Sequence, residues 1–163
     1  MNKLVNNISK VPPSIELLFN NERLDLIKFL CLLHTFSLKS NRQIRVSELL
    51  FYYGLVNFNL RMLFEENANA STTLVEPSIT LYFRFQTKIQ KIILELSYLQ
   101  FAVLKGDLSK KLDELTLKIS PKGTAILEEL DSPFFKELTT NYSEVIDSVK
   151  FTASNLKIIT EGE

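Results

Sequence analysis

The 163-residue chain is poor in the residues that most often carry chemistry, with one cysteine, one histidine and no tryptophan. One cysteine cannot form a disulfide within the chain, and the polar start lacks the apolar run of a signal peptide, so we expect a reducing, cytoplasmic location. One histidine and one cysteine are also too few for a structural zinc site, which takes four nitrogen or sulfur ligands. Only four glycines are present, which argues against an all-β or loop-rich fold.

Net charge and long apolar runs are missing as well. Lysine plus arginine equals aspartate plus glutamate at 19 each, whereas an autonomous, charge-driven nucleic-acid binder usually carries a basic excess. No stretch reaches about 18 uninterrupted apolar residues, so no transmembrane helix is predicted. The hydrophobic fraction of 45% is enough for the core of one domain.

Catalytic motifs are not apparent. His34 and Cys31 lie three residues apart on one face of an apolar helical pattern, where such residues usually belong to the core. The segment Pro121–Thr124 lacks the first glycine and the spacing of a phosphate-binding loop. We therefore predict a non-enzymatic protein without catalytic, cofactor-binding or metal-binding residues. An exposed His34 beside an acidic partner would favour an enzyme instead.

Helical spacing of apolar residues dominates the first hundred residues. The pattern over 22–40 is apolar nearly all round, which indicates a central helix. Ser47 is a suitable N-cap for a helix from Glu48, and Gly54 either ends that helix or lets a neighbour approach. Further helices are predicted to about Asn67 and over 77–107, the latter with an apolar stripe of Ile89, Ile92, Ile93, Leu96, Leu99 and Val103, while Ile44–Val46 forms a brief strand and 67–73 a polar connector.

The stretch 112–130 changes from alternating to helical periodicity. Leu115, Leu117 and Ile119 alternate with polar residues, as in a half-buried strand. Ser120 then provides an N-cap, with Pro121 at the first helical position. A last helical pattern continues from Phe134 to about Ser154, and the final residues form either a short strand or a frayed end.

This order of elements over residues 22–130 resembles a winged helix-turn-helix domain. In that family a three-helix core is followed by a β-wing, and the second wing strand often runs into an L-T-x-x-G motif, which "LTLKISPKGTAILEEL" resembles. The first wing strand is not visible. We predict a mainly α fold, with an extended arm at 1–15 that is either loose or a strap, a winged-helix-like core with a short β-wing at 16–131, and an extra C-terminal helical segment at 132–163. The alternative is a generic helical domain with one hairpin.

A second resemblance concerns the pair "LDLIKFLCLLHTFS" and "RQIRVSELLFYYGLVNF". Together they resemble the small middle components of three-component ABC-ATPase systems, including the Lamassu-type antiphage systems of bacteria. The resemblance implies an adaptor subunit that bridges a large SMC- or Rad50-like ATPase and an effector, with DNA sensed by the complex as a whole. It is carried by Ile44, Ser47, Glu48, Leu50, Phe51, Tyr52, Tyr53 and Phe58.

The chain has more aromatic residues than one small core should hold, which predicts an aromatic surface for partners. The alternative is a dense aromatic core. The predicted partner interface consists of Tyr52, Tyr53, Phe58, Phe83, Phe134 and Phe135.

A basic face is the other predicted surface. It consists of Arg84, Lys88 and Lys91 on the longest helix and of Lys118 and Lys122 near the wing, and such residues either contact phosphates or form an ordinary solvated face. The alternative function is a winged-helix DNA-binding transcriptional regulator, a homodimer joined through the helix at 133–154. The apolar character of the longest helix suggests instead a helix buried on two sides, which a recognition helix is not.

Overall fold

Six α-helices and three short β-strands make up the described residues, 21–65, 77–109, 111–130 and 132–161, of the computed structural model. The predicted arm at 1–15 and connector at 67–73 lie outside these ranges. In chain order the elements are α1 (Asn21–Lys39), β1 (Ile44–Arg45), α2 (Val46–Asn57), a 3₁₀ turn (Leu60–Phe64), α3 (Ile79–Tyr98), β2 (Ala102–Lys105), a second 3₁₀ turn (Leu112–Glu114), β3 (Thr116–Ile119), α4 (Pro121–Glu129), α5 (Pro133–Ser148) and α6 (Ala153–Thr160). Within these ranges no helix has both the length and the apolar content needed to cross a bilayer.

The three strands form one antiparallel sheet in the order β1–β3–β2. Ile44 of β1 lies opposite Leu117 of β3, and Ala102 of β2 lies opposite Ile119. These four side chains are buried, so one face of the sheet covers the helices. The predicted strand with alternating burial is therefore confirmed, and β2 is an antiparallel partner of β3 that the sequence did not reveal.

The end of α3 differs from the prediction of a helix over 77–107. Gln100 adopts a left-handed φ of 62°, while the Phe101 amide donates to the Leu96 carbonyl at 3.0 Å and the Gln100 amide donates to the Ser97 carbonyl at 3.1 Å. This pair of bonds is a Schellman cap, which ends a helix and turns the chain. Val103 consequently lies in β2 with its side chain exposed, and its place in the predicted helical stripe is wrong.

The start of α2 also differs from the prediction. The N-cap residue is Arg45 rather than Ser47, and the Val46 amide donates to the Leu115 carbonyl at 2.9 Å. Gly54 lies inside the helix, and a Cβ there would sit 2.7 Å from Cδ2 of Tyr82. The glycine therefore permits a close approach between α2 and α3, and the helix continues to Asn57.

The core is centred on α1, which packs against α2, α3, α4, α5 and β3. Phe29, Leu32 and Leu33 are fully or almost fully buried on this helix, as its apolar circumference predicted. The last two helices belong to the same core, since Tyr142 of α5 and Ile159 of α6 are buried in it. The described part of the predicted C-terminal segment is thus packed with the rest of the chain, and Ala153–Thr160 is a helix rather than the predicted strand or frayed end.

Candidate functional site

Two residues of the predicted aromatic interface are core residues, so the prediction is wrong for them. Tyr52 is 3% exposed and Tyr53 is 1% exposed. The Tyr53 ring stacks on Phe85 with 4.0 Å between centroids, and its hydroxyl donates to Asp25 at 3.2 Å. The Tyr52 hydroxyl donates to the Val149 carbonyl at 2.7 Å. Both rings are covered because α1, α3 and α5 pack around α2.

The other four predicted aromatics do not form one patch. Phe58 is half-buried and contacts the rings of Tyr53 and Phe85. Phe135 is half-buried on α5 next to the exposed Phe134, whose ring has the Lys28 ammonium 6.0 Å from its centroid. Phe83 is exposed on a different helix, α3. Most of the aromatics thus build a dense core, which was the alternative interpretation.

The exposed apolar side chains concentrate instead on α3 and the chain that follows it. Six of the nine large apolar residues exposed in the described ranges fall between positions 81 and 103. The buried stripe of α3 covers only one side, so the predicted burial on two sides is wrong. The six exposed residues are Leu81, Phe83, Leu94, Tyr98, Leu99 and Val103.

We call Phe83, Thr87, Gln90, Leu94 and Tyr98 the α3 outer face. These residues recur at steps of four, three, four and four, which places them on one side of the helix, opposite the buried Phe85 and Ile92. Leu94 is 55% exposed and Tyr98 is 86% exposed. Sequence reasoning did not single out Leu94 or Tyr98; the available signal was that both fall outside the stripe formed by the isoleucines.

A basic flank borders the α3 outer face. Arg84, Lys88 and Lys91 recur at steps of four and three and are all exposed, so these three charges lie on one side of α3. Two acidic residues stand beside them: Asp25 and Glu95 line a small cleft together with Lys88 and Lys91. The basic flank therefore presents positive charge that Asp25 and Glu95 partly offset near Lys88 and Lys91.

The two basic residues predicted near the wing lie on other elements. Lys118 is on β3 opposite Val103, and its ammonium donates to the Asn41 carbonyl at 3.5 Å. Lys122 is on α4, with its ammonium 5.7 Å from the centroid of the Phe101 ring. Both side chains make contacts within the chain and lie on elements other than α3, so they are not part of the basic flank.

A cavity of about 330 Å³ between α1, α4 and α5 contains the only histidine. His34, Cys31 and Glu128 line it together with apolar residues of α4 and α5. Cys31 is 2% exposed, and burial raises the pKa of its thiol to about 12, so the thiol stays protonated and is a poor nucleophile. Across the described ranges, no three His, Cys, Asp or Glu side chains come together to hold a metal.

No family model, no curated protein and no solved structure matches this chain.

Proposed function

We propose that the protein is a non-enzymatic winged-helix adaptor that binds a partner protein through the α3 outer face. The observation that carries this proposal is the exposure of three large apolar side chains, Phe83, Leu94 and Tyr98, on this one face of α3. Exposed apolar clusters of this kind mark interaction sites on protein surfaces. Tyrosine, phenylalanine and arginine, which all occur on or beside this face, are enriched in protein–protein interfaces.

The order of elements supports a winged-helix interpretation. Three helices, α1 to α3, are followed by the β2–β3 hairpin, and β3 runs through Ser120–Gly123 into α4. The Ser120 hydroxyl accepts from the Gly123 amide at 3.0 Å and donates to the Gln100 carbonyl at 2.6 Å. A Cβ at Gly123 would overlap the Phe101 carbonyl oxygen. A glycine is therefore required at position 123, where the L-T-x-x-G motif of winged-helix domains has its glycine.

The surface chemistry favours a protein over a nucleic acid as the partner. Phosphate recognition depends on a concentration of positive charge, whereas this chain is neutral overall and places Asp25 and Glu95 beside Lys88 and Lys91. The residues of the α3 outer face itself are apolar or uncharged. Burial of these side chains against another protein would remove apolar surface from water, which is the main driving force of most protein association.

The resemblance to middle components of three-component systems suggests what the partners are. We propose a cytoplasmic bacterial defence complex in which the protein bridges an SMC- or Rad50-like ABC ATPase and an effector. ATP-driven motion or DNA engagement by the complex would then release or activate the effector. Phe51, Tyr52 and Tyr53, which carry part of the resemblance, are buried, so they preserve the core while exposed residues contact the partners.

A pull-down from the native host tests the adaptor function. Tagged wild-type protein should recover a stoichiometric large ATPase that survives nuclease treatment. The double variant Leu94→Ser/Tyr98→Ser should lose it, because both side chains lie on the α3 outer face. Leu38→Ser is the matched control, since Leu38 is an exposed apolar residue on α1. Recovery of DNA fragments alone, lost on nuclease treatment, would contradict the adaptor proposal.

The second candidate is a DNA-binding regulator, favoured by the exposed Arg84, Lys88 and Lys91 on one flank of α3. It predicts DNA binding that weakens steeply with salt and falls in Lys88→Ala/Lys91→Ala. Dimerisation through the C-terminal helix is opposed by the packing of α5, whose apolar residues Leu138 and Tyr142 are buried against the core.

A further inference from the structure

We infer that the element bound by the α3 outer face is an amphipathic helix with acidic residues along one flank. This inference rests on the proposed function and specifies the chemistry of the partner. Phe83, Thr87, Gln90 and Leu94 recur at alternating steps of four, three and four residues. Such spacing presents a continuous seam to a second helix packed alongside, as in a coiled coil.

The seam has a defined length. From Phe83 to Tyr98 the helix rises by about 22 Å at 1.5 Å per residue, without a break, since α3 runs from Ile79 to Tyr98. A partner helix of about four turns matches this length. The strong exposure of Leu94 and Tyr98 toward the C-terminal end of α3 places the main apolar contacts there.

The composition of the seam indicates a reversible contact. Phe83 and Leu94 are apolar, but Thr87 and Gln90 between them are polar. Polar residues at seam positions fix the register of paired helices and lower the stability of the pair. We therefore expect apolar partner residues opposite Phe83 and Leu94, and hydrogen-bonding side chains between them.

The two flanks of the seam differ in charge. Arg84 and Lys91 are seven residues apart and exposed on one flank, where Asp25 and Glu95 offset only part of the positive charge of Arg84, Lys88 and Lys91. The other flank has the uncharged Gln86 and the buried Ile93. Charges that flank a helical seam select partners of opposite charge. The complementary helix therefore carries Asp or Glu at a seven-residue spacing on one side only.

The same charges disfavour a second copy of this chain as the occupant. In an antiparallel two-fold pair of α3 helices, residues on equivalent flanks face each other, so Arg84 and Lys91 of one copy would approach Arg84 and Lys91 of the other. Like charges that approach each other across such a helix pair repel each other. An acidic partner removes this repulsion and replaces it with attraction.

Fluorescence anisotropy with labelled probes and the full chain tests this inference. The first probe is a helical peptide of 21 residues with leucines opposite Phe83 and Leu94, glutamines at the seam positions between them and glutamates on one flank. The second has lysines in place of the glutamates, and the third is a 20-base-pair DNA duplex. We expect the glutamate peptide to bind at least tenfold more tightly than the lysine peptide, with the preference reversed in Arg84→Glu/Lys91→Glu.

Lys150→Glu/Lys157→Glu is the matched control, because it makes the same change in net charge at exposed positions of the C-terminal region. This variant should keep the preference for the glutamate peptide. Equal binding of the two peptides by the wild type would overturn the inference, as would an unchanged preference in Arg84→Glu/Lys91→Glu. Tighter binding of the DNA duplex than of either peptide would identify α3 as a nucleic-acid surface.

The pull-down separates failure of this inference from failure of the adaptor function. If Leu94→Ser/Tyr98→Ser abolishes recovery of the ATPase while Arg84→Glu/Lys91→Glu leaves it intact, the α3 outer face binds a protein. The inference that the bound element is an acidic helix is then wrong. If the wild type recovers no protein partner, the adaptor function itself fails. Circular dichroism melts of all variants show whether each loss reflects binding rather than unfolding.

Discussion

Tyr142 on α5 and Tyr98 at the end of α3 have opposite environments. Tyr142 is fully buried; its hydroxyl donates to the Lys28 carbonyl at 3.0 Å and accepts from the Asn57 amide at 2.8 Å. Tyr98 is 86% exposed. The helices on the α5 side cover one another, whereas the outer side of α3 leaves apolar side chains in water. The difference separates residues that stabilise the fold from residues available for binding.

Replacing Tyr142 and Tyr98 separately by alanine should give the largest difference in the free energy of unfolding between the two regions. We expect Tyr142→Ala to lower the free energy of unfolding by about 3–5 kcal/mol, because it leaves a cavity and two polar groups without their partner. Tyr98→Ala should change it by less than about 0.5 kcal/mol while weakening partner binding. Urea unfolding measures both values. Similar losses for the two variants would mean that Tyr98 also packs in the core.

Alkaline pH should destabilise the buried side of the molecule. Burial raises the pKa of Cys31 from 9.0 to about 12 and the pKa of Tyr82 from 10.0 to about 12, and it raises the pKa of Tyr142. The folded protein therefore keeps these protons at pH values where the unfolded chain loses them. Their contribution to stability is complete below pH 9 and is lost as the pH rises toward 12.

Each such group lowers the free energy of unfolding by about 1.4 kcal/mol per pH unit above its unfolded pKa. Cys31 alone therefore accounts for about 2 kcal/mol at pH 10.5. Urea unfolding at pH 8 and pH 10.5 measures the total. The decrease should be smaller in Cys31→Ala, and an equal decrease in this variant would exclude the thiol as a cause.

Gly123→Ala should cost about 1–3 kcal/mol, as overpacking usually does. Its new Cβ would overlap a backbone oxygen of Phe101, which can move only with the α3–β2 turn. Gly54→Ala is the comparison, since its Cβ meets the Tyr82 side chain and alanine favours the helix. We expect the smaller loss at Gly54 in thermal unfolding. The reverse order would show that the α3–β2 turn moves more easily than the Tyr82 ring.

The smallest expected effect concerns two serines at helix starts. Ser120→Ala should lower the free energy of unfolding by about 1 kcal/mol, because the hydroxyl caps the Gly123 amide. Ser132→Ala should cost only a few tenths of that, since the Ser132 side chain makes no capping bond at the start of α5. Chemical denaturation of the two variants side by side checks this difference.

Local signals were strong enough to predict α1 and the junction between β3 and α4. In both, the residues that define the element are close in sequence: the apolar circumference of α1, and the Ser120 cap followed by Pro121. The end of α3 escaped prediction because Gln100, rather than a glycine, takes the left-handed position. The apolar spacing also continues through Val103 beyond the true end of the helix.

Tertiary packing determined the features that the sequence could not provide. The strand β2 has only four residues and exists through its pairing with β3, which lies farther along the chain. Tyr53 and Phe83 are both aromatic, yet one is stacked in the core and the other is exposed, because different helices cover α2 and α3. The α3 outer face could therefore be identified only once the positions of neighbouring helices were known.

The hydrogen bond from Tyr142 to the Lys28 carbonyl joins residues 114 positions apart, which has a consequence for synthesis of the protein. At about 5–20 residues per second, the ribosome needs roughly 6–23 s to add Tyr142 after Lys28. During that interval the apolar surface of α1 that α5 will cover has no final partner. Messages cut short before α5 would yield chains with this surface exposed, which are substrates for chaperones and proteases rather than shorter working proteins.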